Sequence, residues 1–147
     1  MSVKPQYQGA DRKQLQSVLR DAGFRSTEGR LALLAELKQS NKPLSVEILA
    51  SHIGSRLDEA NVYRALESFA QAGIARRVDL QHGHVHYEFA HGDDHHHIVC
   101  TSCDKVEDFA GCEYDRLAET ALKQTRNFAK VTNHSFELFG LCNSCAT

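Results

Sequence analysis

Four cysteines in two pairs constrain this chain more than any other feature: Cys100-Thr-Ser-Cys103 and Cys142-Asn-Ser-Cys145. Two residues between cysteines let both sulfurs reach one ion from a tight turn, and two such pairs supply the four thiolates of a tetrahedral zinc cage. The long interval between the pairs means that the metal ties a hairpin to the last strand of a domain instead of closing a small knuckle. Two disulfides or a redox pair are the alternatives; they need an oxidising compartment or a thioredoxin-like strand-to-helix context. The sequence shows neither a signal peptide nor a bilayer-length apolar run, so a reduced, cytoplasmic protein without a membrane partner is expected. Structural Zn2+ held by Cys100, Cys103, Cys142 and Cys145 is the reading that follows.

The formal net charge of -2 conceals a division along the chain. Residues 1–80 carry 12 Lys and Arg against 9 Asp and Glu, whereas residues 81–147 carry 5 against 10. Eight of the nine histidines also lie after residue 81. A basic half suited to nucleic acid and an acidic, histidine-rich half suited to cations imply two domains with different partners.

Apolar spacing organises the first half. Leu15, Val18, Leu19 and Ala22 follow the i, i+3, i+4, i+7 rule over Asp11 to Ala22, and Gly23 ends that helix. Ser26 or Thr27 caps a second helix with Leu31, Leu34, Ala35 and, at its end, Leu37 inward, stopped by Asn41-Lys42-Pro43. Ser45 to Ile53 reads as a short helix burying Ile48 and Leu49. Asp58 caps a fourth, Glu59 to Ala72, with the stripe Val62, Leu66 and Phe69 and a polar face of Asn61, Tyr63, Arg64 and Glu67. Two extended runs, Ile74 to Leu80 and His84 to Ala90, then flank Gln81-His82-Gly83 as a hairpin. Helices followed by a two-stranded hairpin make a winged helix whose fourth helix enters a DNA groove.

The expected class is therefore α+β. A winged helix-turn-helix domain over residues 1–90 meets a Gly- and Asp-containing hinge at 91–94, followed by a small α/β domain over 95–147 carrying the four-cysteine zinc site. In that last domain strands are expected at His97 to Cys100, Val106 to Phe109 and Ser135 to Leu141, with a helix at Glu113 to Thr125. Phe128, Val131, Phe136, Leu138, Phe139 and Leu141 exceed what so short a unit needs internally, so it is expected to dimerise along its last strand.

Because four thiolates satisfy a structural zinc, the histidines need a separate account. Alternation along a strand sends His95 and His97 to one side and His96 to the other, so one triple can serve two sites. His84, His86 and Glu88 share a face of the preceding strand by the same period, while Asp108, Asp115 and His134 lie on later elements. Imidazole with carboxylate suits Zn2+, Mn2+ and Fe2+ and permits exchange, which a sensor requires.

Together, Asn61-Val-Tyr-Arg-Ala-Leu66 with Gly73, His95-His-His-Ile-Val-Cys-Thr-Ser-Cys103, Lys105-Val-Glu-Asp-Phe109, Thr132-Asn-His-Ser135 and Phe139-Gly-Leu-Cys-Asn-Ser-Cys145 resemble the ferric uptake regulator family of metal-dependent transcriptional repressors. The resemblance covers nearly the whole chain. It implies an N-terminal winged helix, a C-terminal dimerisation domain and a regulatory metal bridging the two. The family's sensing site then falls on Glu88, His95, His97 and Asp108. A second site falls on His96, Asp115 and His134, with Asp94 at a position often taken by histidine, and the DNA contacts fall on Arg25, Tyr63 and Arg64.

Departures from the pattern are specific. Where the family commonly supplies a sensing histidine before the third helix, this chain reads Lys42-Pro-Leu-Ser-Val46, and His86, beside Glu88, is expected to take that role. Gly29 stands where glutamine is usual and Asn61 where threonine or serine is, which implies an altered half-site preference. Asp108 is similar to the peroxide-sensing branch, a second reading within the family, although that branch also relies on the missing histidine. Cys112 reads most simply as a helix-start residue, with a redox or metal-ligand role as the alternative. An enzyme is not expected, because the spacing motifs of zinc hydrolases are missing, and a metal-storage or chaperone role leaves the winged helix without a purpose.

Overall fold

The computed structural model describes residues 10–90 and 95–147, which fall into two compact units, Met1–His91 and Gly92–Thr147. The expected hinge, residues 91–94, lies outside the described residues, and so does Asp94.

In the first unit, local chemistry sets the helix starts. Thr27 Oγ1 accepts from Arg30 N at 3.4 Å to open α2 (Glu28–Gln39), Ser45 Oγ accepts from Ile48 N at 3.2 Å to open α3 (Val46–Ile53), and Asp58 Oδ1 accepts from Asn61 N at 2.8 Å to open α4 (Glu59–Gln71). Each side-chain oxygen satisfies an amide that the first helical turn leaves without a partner. The preceding helix, α1 (Ala10–Asp21), ends at Gly23, whose φ of +86° closes the turn.

The core gathers Leu15 and Leu19 from α1, Leu49 and Ile53 from α3, and Val62, Leu66 and Phe69 from α4 around α2. The central helix departs from the single inward stripe: Leu31, Ala32, Leu33, Leu34, Ala35 and Leu37 are all buried, so α2 is covered on every side. A helix apolar all round belongs in the middle of a bundle. Ile48 also differs from expectation, since it is 42% exposed; Leu49 and Ile53, one turn apart, take the inward face of α3 instead.

The wing is a three-stranded sheet in place of a simple hairpin. β2 (Ala75–Val78) and β3 (His86–Phe89) pair antiparallel, and the two-residue β1 (Leu44–Ser45) joins the other edge of β3 through Leu44 opposite Tyr87. Gln81 and Gly83, with φ of 58° and 81°, turn the chain between β2 and β3, and Asp79 Oδ1 holds Gln81 N at 2.8 Å. Glu67, expected on the open polar face of α4, instead turns toward this sheet: it accepts from the Tyr87 hydroxyl and lies 3.4 Å from Arg77 Nε.

The second unit is a sheet of order β5-β4-β6 with one helix. β4 (His96–Cys100) pairs antiparallel with β5 (Val106–Phe109) and parallel with β6 (Glu137–Gly140). A parallel neighbour requires a crossover, and α5 (Tyr114–Gln124) supplies it. None of the residues of α5 is buried in the isolated unit, and Ile98 and Leu138, paired across β4 and β6, are each 42% exposed.

Candidate metal centres and DNA-facing helix

The four-cysteine cluster arises from strand register. β4 delivers Cys100 opposite Gly140 of β6; Thr101 N then donates to Gly140 O at 2.8 Å, which brings the Cys142 turn beside the Cys100–Asp104 turn. All four sulfurs lie within 4.8 Å of one another, and Cys103 and Cys142 are 3.7 Å apart. Four sulfurs at about 2.3 Å from a tetrahedral zinc stand about 3.8 Å from each other. Backbone amides, Cys142 N foremost at 3.4 Å, pull the Cys100 thiol down to about 6. The Ser102 hydroxyl lowers Cys145, but its three thiol neighbours outweigh it and push that group up to about 11. Four thiolates this close repel one another, and a divalent cation is what makes them compatible. The residues fit structural zinc.

Alternation divides the histidine triple. On one face of the second sheet, His97 is 1% exposed, with Nε2 3.5 Å from Asp108 Oδ1 and Nδ1 3.9 Å from Glu137 Oε1, and the His95 ring packs at 5.2 Å. Nothing in the sequence singles out Glu137; it reaches His97 only because the parallel register sets the two residues opposite each other. On the other face, the buried His96 ring packs against Phe109 and Phe136, and its Nε2 lies 3.3 Å from His134 Nε2. Asp115, in the exposed first turn of α5, is not part of this group; Cys112 is, with its sulfur 3.0 Å from His96 Nε2.

In the first unit, His86 and Glu88 occupy one face of β3, both buried. Glu88 lies 3.4 Å from Arg76 Nη1. The rings of His82 and His84 approach His86 at 5.4 and 4.7 Å, and His86 Nδ1 is buried with no hydrogen-bond partner among the described residues. Burial first, then these two imidazoles, hold His86 below its ordinary range, in the neutral form that ligates metals.

The polar side of α4 presents Asn61, Tyr63 and Arg64 exposed, Tyr63 at 47%. A surface cavity of about 560 Å³ beside it is lined by Arg25, Arg30, Arg56, Asn61 and Arg64, so cations from several segments converge on one face. Among the described residues no helix is long and apolar enough to cross a membrane.

Comparison with known proteins gives a consistent answer. The model of the ferric uptake regulator family matches residues 21–139. The ferric uptake regulation protein of Legionella pneumophila is 34% identical over 131 residues, covering 86% of this chain and 95% of that protein. Among solved structures, the ferric uptake regulator of Francisella tularensis with iron is 28% identical with a TM-score of 0.66, covering 85% of this chain and 96% of that one. The regulator of Pseudomonas aeruginosa with manganese is 27% identical with a TM-score of 0.68, covering 88% and 98%.

Proposed function

The chain belongs to the ferric uptake regulator family, and we propose that it works as a homodimeric repressor that binds A/T-rich inverted-repeat double-stranded operators when loaded with metal. As a member of that family it is a metal-responsive regulator of transcription. The observation that carries the DNA reading is the convergence of Arg25, Arg30, Arg56 and Arg64 beside the exposed Tyr63 and Asn61. Arginines that neutralise phosphates supply affinity and register, whereas Tyr63 and Asn61 meet base edges and thymine methyls.

The regulatory ligands we assign are His86 and Glu88 from the first unit with His95, His97 and Asp108 from the second. The donor set of imidazoles and carboxylates supports Fe2+, Zn2+ or Mn2+, and the orphaned His86 nitrogen supports its part in it. The second site in the dimerisation domain is drawn from His96 and His134, with Asp94 and Asp115 as the carboxylates that the family pattern offers. A bound ion supplies a cation that only the correctly arranged ligands can satisfy together. The protein's part is linkage: an ion whose ligands come from both units favours one arrangement of them, and a coupling of about 3 kcal/mol changes DNA affinity more than a hundredfold. The exposed apolar strip of Ile98, Phe136, Leu138 and Leu141 supports a homodimer joined through the second unit.

Fluorescence anisotropy on an A/T-rich inverted repeat, across buffered Zn2+, Mn2+ and anaerobic Fe2+, tests the proposal. Tight binding above a threshold of one metal is the expected result. Binding that ignores every metal discards the switch, and unchanged metal affinity in His86→Ala removes that residue from the ligand set. A peroxide-sensing member would instead lose DNA binding irreversibly when its iron form meets hydrogen peroxide.

A further inference from the structure

We propose that Cys112 is a metal ligand, completing with His96 and His134 a two-imidazole, one-thiolate site for a zinc-class cation within the second unit. This rests on the reading of that unit as metal-binding and changes the chemistry of its second site. The three ligating atoms lie within 4.8 Å of one another, and their spacing is informative. A tetrahedral zinc with nitrogens at about 2.05 Å and sulfur at about 2.3 Å sets N–N near 3.3 Å and S–N near 3.6 Å. Here the two Nε2 atoms are 3.3 Å apart, and the sulfur lies 3.0 Å from His96 and 3.8 Å from His134, on either side of the ideal.

The site is also built. His96 is only 5% exposed and its ring is wedged between Phe109 and Phe136, while Tyr114 stacks on His134 at 4.0 Å and 19°. Gly111, at a φ of +88°, makes the turn that brings Cys112 back over the strand. Aromatic walls fix both imidazoles with their Nε2 atoms toward the sulfur, which is the arrangement an ion between them needs. A thiolate shifts a site from Mn2+ and Fe2+ toward Zn2+, so this position would select a different metal from the carboxylate-rich set on the other face.

Anaerobic Co2+ titration of the full chain, with zinc kept in the four-cysteine cage, tests the assignment. Wild type is expected to show a sulfur-to-cobalt charge-transfer band that Cys112→Ser lacks, and Cys112→Ser to bind added Zn2+ on the order of tenfold more weakly or worse. A second readout needs no variant: added Zn2+ should slow iodoacetamide alkylation of Cys112, mapped by mass spectrometry, in the wild-type chain. Identical cobalt spectra, or alkylation indifferent to zinc, overturn the assignment. Operator binding measured in parallel keeps the two readings separate, since its failure in wild type discards the repressor while leaving a cobalt–thiolate band to stand for the site.

Discussion

The hydroxyl of Tyr87 on β3 donates a hydrogen bond to the carboxylate of Glu67 on α4. Tyr87 is fully buried, and Arg77 on β2 approaches the same carboxylate at 3.4 Å, so the wing sheet is fastened to the helix that carries Tyr63 and Arg64. Burial and then Glu67 drive the phenol's ionisation above its ordinary range, which keeps it a donor at any physiological pH.

Replacing Tyr87 by phenylalanine should therefore cost about 1.5–3 kcal/mol, the worth of a hydrogen bond to a charged group. Urea unfolding of the full chain measures it. A loss close to zero would mean that water replaces the phenol and that Arg77 alone holds Glu67.

Gly29 makes room for Leu57. A Cβ added there would stand 2.7 Å from Leu57 Cγ and 3.0 Å from both its methyls, so the glutamine usual in the family cannot enter without displacing the residue that precedes the Asp58 cap. Gly29→Gln should lower stability by about 1–3 kcal/mol, even though glycine is the poorer helix former. The double variant with Leu57→Ala should recover part of that loss. Thermal melting of the three proteins is the check, and additivity of the two substitutions would show that the residues do not conflict.

Cys103 completes the cage, its sulfur 3.7 Å from that of Cys142 on the facing turn. Cys103→Ser, or prolonged chelation, should release one zinc per chain and melt the second unit at lower temperature, because apparent zinc binding energies of about 10–16 kcal/mol are folding energy in such sites. Metal analysis beside calorimetry reads both effects. Zinc loss with an unchanged melt would make the cage dispensable for folding.

On operator DNA, Arg25→Ala should weaken binding similarly on all sequences and reduce the log–log salt slope by about 0.9 for each phosphate it no longer neutralises. Tyr63→Ala should instead cost about 1–3 kcal/mol selectively on sites with thymine at the position it touches. Anisotropy titrations at several salt concentrations separate the two. Equal salt slopes for Arg25→Ala and wild type would take Arg25 off the phosphate backbone.

Local signals are legible wherever one residue acts on its own neighbours. Asp58 caps α4, and Thr27, one of the two caps the sequence offers, caps α2, because a short side-chain oxygen reaches an amide three residues on; Val62, Leu66 and Phe69 are all fully buried because helical period alone places them on one face. The paired cysteines are legible for the same reason, since a turn of two residues brings its own two sulfurs together. Ile48 escapes this logic because two adjacent apolar residues in one short helix cannot share the inward stripe, and the packing of α3 chose Leu49.

What the amino-acid order determined by itself is thus the helices and the strands other than β1, the Asp58 cap and the four thiols of the zinc cage, all products of interactions within a few residues or of a spacing that suits one metal. What only the tertiary structure decided is the company each side chain keeps. β1 exists because β3 has a free edge, Glu137 meets His97 through parallel register, and Cys112 meets His96 and His134 although 16 and 22 residues separate them. Those meetings depend on which strand lies beside which, and that is set by the burial of whole faces, a quantity no short stretch of sequence contains.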